Sequence, residues 1–267
     1  MKIKIAVSGC LGKMGRRIIR LSLNDSDIEV AAGIEREGHP SIGEDLFELL
    51  GEGKKGISIT SDFKQAVSEA DILIEFTTPQ VSLQHLQTAF ELKKKIIIGS
   101  TGFNDEEIQK IKKAAAEIPV LISPNMSIGM NVMFKIMPQL VKLLGPDYDI
   151  EIVELHHNKK KDAPSGTAKK IAEIIKDARG GLKFIYGRKG LTGPRQNDEL
   201  AIHALRLGDI TGEHRVIFAG NDERIEFIHS AGSRDIFARG VILGIKYISG
   251  KKSGFYTMGD VLSERLK

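Results

Sequence analysis

The chain has 267 residues, of which 41% are hydrophobic and 28% charged, and 39 Lys and Arg stand against 35 Asp and Glu. This composition excludes disorder and fibrous repeats, and the length provides for one to two domains with sizeable cores. The net charge of +4 falls on short, scattered lysine runs at 93–95, 159–161 and 251–252, which speaks against a nucleic-acid partner.

In chain order, short β-branched runs alternate with helical patterns through the first half. Strands are predicted at 3–7, 29–34, 71–76, 95–99 and 120–123, with crossover helices over Gly12–Asn24, Gln80–Lys93 and Asp105–Ala116. This alternation is the signature of βαβ units and a parallel sheet. Glu35–Lys55 is rich in glycine and charge without a period and reads as an irregular loop. After Pro124 the pattern changes to a long apolar helix over Met130–Leu144, a strand at 149–155 and a helix over Thr167–Ala178. Three strands follow in succession, Leu200–Leu207, His214–Ala219 and Arg224–Ser230, which points to an α+β domain. Ala238–Ile248 reads as an apolar helix that returns to the first sheet. The expected division is therefore 1–127 with 237–267, and 128–236.

Cys10 is the single cysteine, so no intrachain disulfide is possible. The start MKIKIAVSG lacks a signal-peptide pattern, and no apolar run approaches the roughly 20 residues of a bilayer span. A reducing, cytoplasmic setting without a membrane partner is expected.

The first strand runs into Gly9-Cys10-Leu11-Gly12-Lys13-Met14-Gly15 and opens a helix. Glycines there permit a tight turn and close approach to a pyrophosphate, which the helix N-terminus stabilises. Glu35 ends the second strand, where an acid accepts bonds from ribose hydroxyls, and Arg36 beside it can meet a 2′-phosphate. The same glycines could serve only close helix–strand packing. Phe76-Thr77-Thr78-Pro79, Gly99-Ser100-Thr101-Gly102 and Ser123-Pro124-Asn125-Met126 follow later strands, at the edge where open α/β sheets bind ligands.

The densest cluster is Glu154-Leu155-His156-His157-Asn158-Lys159-Lys160-Lys161-Asp162-Ala163-Pro164-Ser165-Gly166-Thr167. Histidines and lysines before a Ser-Gly-Thr helix start offer proton donors, fixed cations and backbone N–H groups to an anionic substrate. A solvated basic face with an N-cap serine is the plain alternative. Adjacent histidines point to opposite sides of a strand, and no Cys or HExxH spacing supports them, so no metal is expected.

These segments, GCLGKMGR, IERE at 34–37, EFTTP at 75–79, IGSTGF at 98–103, SPNMSIGMN at 123–131, ELHHNKKKDAPSGTA at 154–168 and RLGDITGEHRVIFAG at 206–220, resemble the 4-hydroxy-tetrahydrodipicolinate (dihydrodipicolinate) reductase family over almost the whole length. The HHxxKxDAPSGT element is the most specific of them. The resemblance implies an α/β chain, with an N-terminal Rossmann-like doubly wound parallel sheet that binds NADH or NADPH. It implies a smaller α+β domain whose open mixed sheet builds a homotetramer and which binds a cyclic dicarboxylate. Carried over position by position, Gly9, Cys10, Leu11, Gly12, Lys13 and Met14 hold the pyrophosphate, Glu35 the adenosine ribose and Arg36 a 2′-phosphate. Gly99, Ser100, Thr101, Ser123, Pro124, Asn125 and Met126 flank the nicotinamide half. His156 is the implied proton donor and Lys160 the second catalytic residue, which also binds substrate with His157, Gly166 and Thr167. Ser100 departs from the family's common second Thr, and three consecutive lysines blur which one acts. Hydride donor and acceptor then belong to separate domains, which implies closure on binding. Two other classes fit parts of the chain: another NAD(P)-linked dehydrogenase of a small amino dicarboxylate, and a non-catalytic NAD(P)H sensor.

Overall fold

A computed structural model describes residues 1–265; residues 266 and 267, the end of the expected returning segment, lie outside the described residues. The chain forms two compact units, Met1–Ile128 with the segment from Asp235 onward, and Gly129–Arg234. These divisions fall one residue after 127 and two before 237.

The first unit opens with β1 (Ile3–Ser8), α1 (Gly15–Leu23), β2 (Ile28–Ile34), α2 (Leu46–Leu49), β3 (Ile59–Thr60) and α3 (Phe63–Ser68). It continues through β4 (Ile72–Glu75), α4 (Pro79–Glu91), β5 (Lys95–Ile98), α5 (Asp105–Ala115) and β6 (Pro119–Ile122). The second unit holds α6 (Ile128–Leu144, its first residue in the first unit), β7 (Asp149–His156), α7 (Gly166–Arg179), β8 (Lys183–Ile185), β9 (Glu199–Arg206), β10 (Glu213–Ala219) and β11 (Arg224–Ser230). The chain then returns to the first unit with α8 (Asp235–Ser249), β12 (Gly254–Tyr256) and α9 (Met258–Glu264).

In the first unit seven strands lie in the order β12-β6-β5-β4-β1-β2-β3, and every pairing is parallel. Both faces of this sheet are covered, which is why its strands read as continuous apolar runs. Ile5, Val7, Ile72 and Ile74 turn to one side, where they pack with Ile18 of α1 and Val241 and Ile245 of α8. Ala6, Leu73, Ile96 and Ile98 turn to the other and meet Val67 of α3, Leu86 of α4 and Ile111 of α5. The strand order reverses between β1 and β4, the place where such sheets open a ligand crevice at their C-terminal ends.

Elements that the period did not reveal lie mostly at this sheet's margins. Within the expected loop 35–55 sits α2, held by Asp45, whose carboxylate accepts from the N–H groups of Phe47, Glu48, Lys55 and Gly56. The short β3, α3, β12 and α9 were likewise absent from the sequence reading. β12, not the returning helix alone, completes the sheet by pairing with β6.

The second unit carries a five-stranded mixed sheet, β11-β10-β7-β9-β8. β10 is antiparallel to β7 and β11, whereas β9 runs parallel to both β7 and β8. Ile150, Ile152, Leu200, Ile202, Val216 and Phe218 bury one face of it under Met133 and Met137 of α6 and Ile171 and Ile175 of α7.

Candidate active site

The turn after β1 is built on two backbone constraints. Gly9 adopts φ +66°, a conformation costly for any side chain. A Cβ at Gly15 would lie 2.3 Å from the Gly9 carbonyl oxygen, so α1 can begin this close to the strand only with glycine there. Gly12 N–H donates to Gly9 O at 2.9 Å and closes the turn. Met14, the N-cap of α1, makes no side-chain hydrogen bond to the N–H groups of the first turn. Glu35 accepts from Leu11 N–H at 2.8 Å, and Arg16 Nε donates to Leu11 O at 2.6 Å. Gly12, Lys13 and Arg36 are exposed. This glycine cradle with an acid fixed beside it fits a dinucleotide.

Cys10 differs from its neighbours. Its side chain is fully buried in the core, and burial, then the Glu35 charge, push its thiol up to about 12. Only its backbone remains to meet a ligand, and the thiol is held protonated.

Because β1, β5 and β6 are parallel, the segments 9–14, 99–101 and 123–126 follow the C-terminal ends of strands in one sheet. A Cβ at Gly99 would lie 2.0 Å from the Phe76 ring, so glycine is what lets that ring cross the end of β5. Thr101 and Pro124 are exposed. Other side chains in these turns face inward. Ser100 is buried with its hydroxyl 2.8 Å from that of Ser82, and Ser123 donates to Asn125 O at 2.7 Å. Met126 is buried, and its carbonyl oxygen would lie 1.7 Å from a Cβ at Gly240, so α8 passes it at glycine distance.

In the second unit the site grows from the end of β7. Alternation along the strand turns Glu154 and His156 to the same side as Ile150 and Ile152, the face that the helices cover. Glu154 is fully buried. Its carboxylate meets His156 Nδ1 at 2.5 Å, both Arg206 Nη atoms at 2.9 and 2.8 Å, and Ser165 N–H at 3.0 Å. Burial pushes this carboxyl up, but the His156, Arg206 and Ser165 bonds outweigh it and bring its pKa down to about 2. The register explains the convergence, since His156 pairs with Arg206 across the parallel β7–β9 ladder.

Ser165 is the N-cap of α7, accepting from Ala168 N–H at 3.1 Å, and its hydroxyl lies 3.0 Å from His214 Nε2. His214 is buried, and burial followed by the nearby His156 charge pushes it down to about 3, so it stays neutral. Its ring meets that of His156 edge to face, 5.3 Å between centroids. A Cβ at Gly212 would come within 3.1 Å of His156 Nε2, so glycine there leaves the second imidazole nitrogen room.

Among the three lysines, Lys159 and Lys161 are exposed while Lys160 is partly buried, with Nζ 2.8 Å from Asp162. The chain bends after His156, with Lys160 N–H donating to His157 O and Asn158 N–H to Gly208 O, both at 3.1 Å. Gly166 is exposed at the first position of α7, with Thr167 half-buried after it. The sequence assigns no role to Glu154, Arg206 or His214, and reads Ser165 only as part of the helix start or its N-cap. The i, i+2 spacing of Glu154 and His156 on a strand was the signal available for the first of them. Among the described residues no group of three His, Cys, Asp or Glu could hold a metal ion, and no helix is long and apolar enough to cross a membrane.

Comparison with known proteins bears on both units. Residues 3–126 match the family model "Dihydrodipicolinate reductase, N-terminus" and residues 129–262 match "Dihydrodipicolinate reductase, C-terminus". The chain is 47% identical over 266 residues to the 4-hydroxy-tetrahydrodipicolinate reductase of Syntrophus aciditrophicus, covering 98% of this chain and 99% of that one. It is also 47% identical to that of Methanocaldococcus jannaschii, covering 97% of each. Among solved structures, a dipicolinate-bound dihydrodipicolinate reductase from Paenisporosarcina sp. TG-14 superimposes with a TM-score of 0.78 at 25% identity, over 97% of this chain and 99% of that one. A C. glutamicum DAP dehydrogenase, at 14% identity and a TM-score of 0.58, shares the fold. With both family models matched and full-length relatives near half identity, the chain belongs to the dihydrodipicolinate reductase family, NAD(P)H-dependent oxidoreductases that reduce 4-hydroxy-tetrahydrodipicolinate in diaminopimelate and lysine biosynthesis.

Proposed function

We propose that His156 is the proton donor of this reduction, that Lys160 and the α7 start at Gly166 and Thr167 hold the substrate's carboxylates with His157, and that the glycine loop, Glu35 and Arg36 hold the cofactor. The observation that carries this reading is the buried Glu154 carboxylate, bonded at once to His156, Arg206 and the Ser165 N–H that precedes α7. It ties the acid, its counter-charge and an anion-binding helix start into one rigid piece. The dipicolinate held by the Paenisporosarcina relative is a planar cyclic dicarboxylate, the class this arrangement suits.

When bound, the reduced nicotinamide supplies a hydride to an electron-poor ring carbon; the product is tetrahydrodipicolinate, with release of water. The chain's own task is to deliver a proton where negative charge gathers in the ring. Glu154 occupies His156 Nδ1, so the proton leaves from Nε2, on the side that Gly212 keeps open. The ionised Glu154 holds the imidazole in place through Nδ1, and Arg206 balances the carboxylate when the proton has gone. His214, held neutral, adds no competing cation beneath it. Lys160 provides a positive charge, and the N–H groups at Gly166 and Thr167 a helix terminus, for the two carboxylates.

Rapid loss of NADH or NADPH absorbance is expected when the preceding synthase generates substrate in situ from pyruvate and aspartate semialdehyde. Cofactor binding by calorimetry without such oxidation would overturn the reading of His156 and Lys160 and favour a sensor. In the same assay Lys160→Ala should raise the substrate KM about tenfold and lower kcat, since a desolvated ionic contact contributes roughly 1.5–3 kcal/mol. Equal losses in Lys159→Ala or Lys161→Ala would move the role to a neighbour.

The second sheet's face away from α6 and α7 carries Val153, Leu155, Leu205 and Ile228, with Leu205 and Ile228 37% and 48% exposed. This apolar stripe supports assembly through the open sheet into a homotetramer. The biosynthetic role and the absence, among the described residues, of any helix able to span a bilayer support a cytoplasmic location.

A further inference from the structure

The first unit contains a second buried carboxylate, which the reduction as described leaves without a task. β4 reads Ile72-Leu73-Ile74 and then Glu75, whose side chain is fully buried at the strand's C-terminal end. Its Oε1 accepts from Thr77 N–H at 2.9 Å and from the Thr77 hydroxyl, with the Ser82 hydroxyl 3.3 Å away. Its Oε2 meets His85 Nδ1 at 2.5 Å. The same nitrogen is 3.3 Å from the Ser8 hydroxyl, and the His85 ring stacks on Phe63 with centroids 3.8 Å apart. Ser82 in turn lies 2.8 Å from Ser100.

A fourth apolar residue would continue this strand without the cost of burying a charge. The groups tied to this carboxylate, directly or through His85 and Ser82, come from particular places. Ser8 ends β1, Thr77 follows β4, Ser100 follows β5, and Ser82 and His85 lie on the α4 helix that Thr78 caps. Three strand-end turns on the ligand-bearing edge of the sheet are thus tied to one carboxylate. The network also reaches the glycine loop, because the Thr77 methyl carbon lies 3.5 Å from where a Gly9 Cβ would be. Thr77 thus lies beside the first glycine of the cradle, while Ser82 ties Ser100, in the turn after β5, to the same network.

We propose that Glu75, held by His85, is a positioning residue of the cofactor site, which sets Thr77 against Gly9 and Ser100 in its turn so that the dinucleotide meets a preformed edge. This rests on the glycine loop being the cofactor site. The role differs from that of a core ion pair in what its loss does: it changes cofactor affinity ahead of substrate affinity and ahead of fold stability.

The test is NADH and NADPH binding, read by fluorescence of the bound dinucleotide, together with both KM values, kcat and the melting temperature. Glu75→Gln keeps the shape and removes the charge, and should raise the cofactor Kd about tenfold, as expected for losing one charge-assisted hydrogen bond. The substrate KM should stay within about twofold. His85→Ala should do the same, and the double variant should bind no worse than the weaker single one, as for residues acting as a unit. Ser82→Ala, which deletes a single hydroxyl on α4, provides a milder second variant, and it should shift the Kd about threefold in the same direction. Unchanged cofactor Kd values in Glu75→Gln and Ser82→Ala would overturn the proposal, whatever the melting temperature does. So would an equal rise in substrate KM, which marks a general loosening. Glu35→Ala separates this from the parent reading: if it weakens binding and Glu75→Gln does not, only the present proposal fails, and if neither does, the glycine-loop site itself fails.

Discussion

His156→Gln is expected to lower kcat by about 10² or more while the NADH Kd stays within about twofold of the native value. Glutamine retains hydrogen-bonding capacity toward Glu154 and fills much of the same space, so the strand end keeps its form. What disappears is a group able to release a proton from the nitrogen that Gly212 leaves room for. The glycine loop proposed to hold the cofactor belongs to the other unit and contains no residue of β7, so its affinity should not change. Steady-state kinetics with calorimetry on the same preparation separates the two quantities. An unchanged kcat would remove His156 as the proton donor.

Glu154→Ala is expected to act on stability as well as on turnover. Its carboxyl lies at about 2 in the folded chain against an ordinary 4.5, so the folded state binds protons less readily than the unfolded one. Stability from this group is therefore fully present above about pH 4.5 and is lost as the pH falls toward 2. At roughly 1.4 kcal/mol per unit the difference amounts to about 3 kcal/mol at neutral pH. Removing the carboxylate also strands Arg206 beside His156 and frees the imidazole to turn, so kcat should fall about tenfold or more. Urea unfolding of both proteins at pH 7 and pH 3 checks the sign: the gap between them should be wide at pH 7 and narrow at pH 3. A gap that is constant with pH would mean that the carboxylate acts by shape alone.

The parts of this molecule legible in its sequence are those where one period runs long enough to be read. β1, β2, β4, β5 and β6 declare themselves by short, mainly apolar runs rich in Ile and Val, because a sheet covered on both faces needs them. α2 and β3 do not, since Asp45 and its four backbone partners, not a periodic apolar face, fix the chain there. β12 has three residues and gains its identity only by lying beside β6. At the site, His156, Lys160 and the Ser-Gly-Thr start could be seen together because they are neighbours in sequence. Arg206 lies fifty residues on from His156, and only the parallel register of β7 and β9 brings it to Glu154. His214 reaches Ser165 through the neighbouring β10 pairing, which no local pattern encodes. Cys10, Ser100 and Met126 show the converse, since they lie in the strand-end turns that the sequence marks but turn their side chains into the protein.

The interrupted path of the first unit bears on how the protein is made. Its core lacks Ala238, Val241, Ile245, Ile248, Met258 and Val261 until the last stretch of the chain has left the ribosome, and its sheet lacks β12. Gly129–Arg234, by contrast, is continuous and holds its own core. Synthesis from the N-terminus thus releases the middle of the protein as a complete folding unit before the beginning can close. A nascent chain stopped near residue 234 would carry a finished second unit together with a first sheet bare on the flank that α8 covers, exposed to chaperones or to aggregation until the final thirty or so residues arrive.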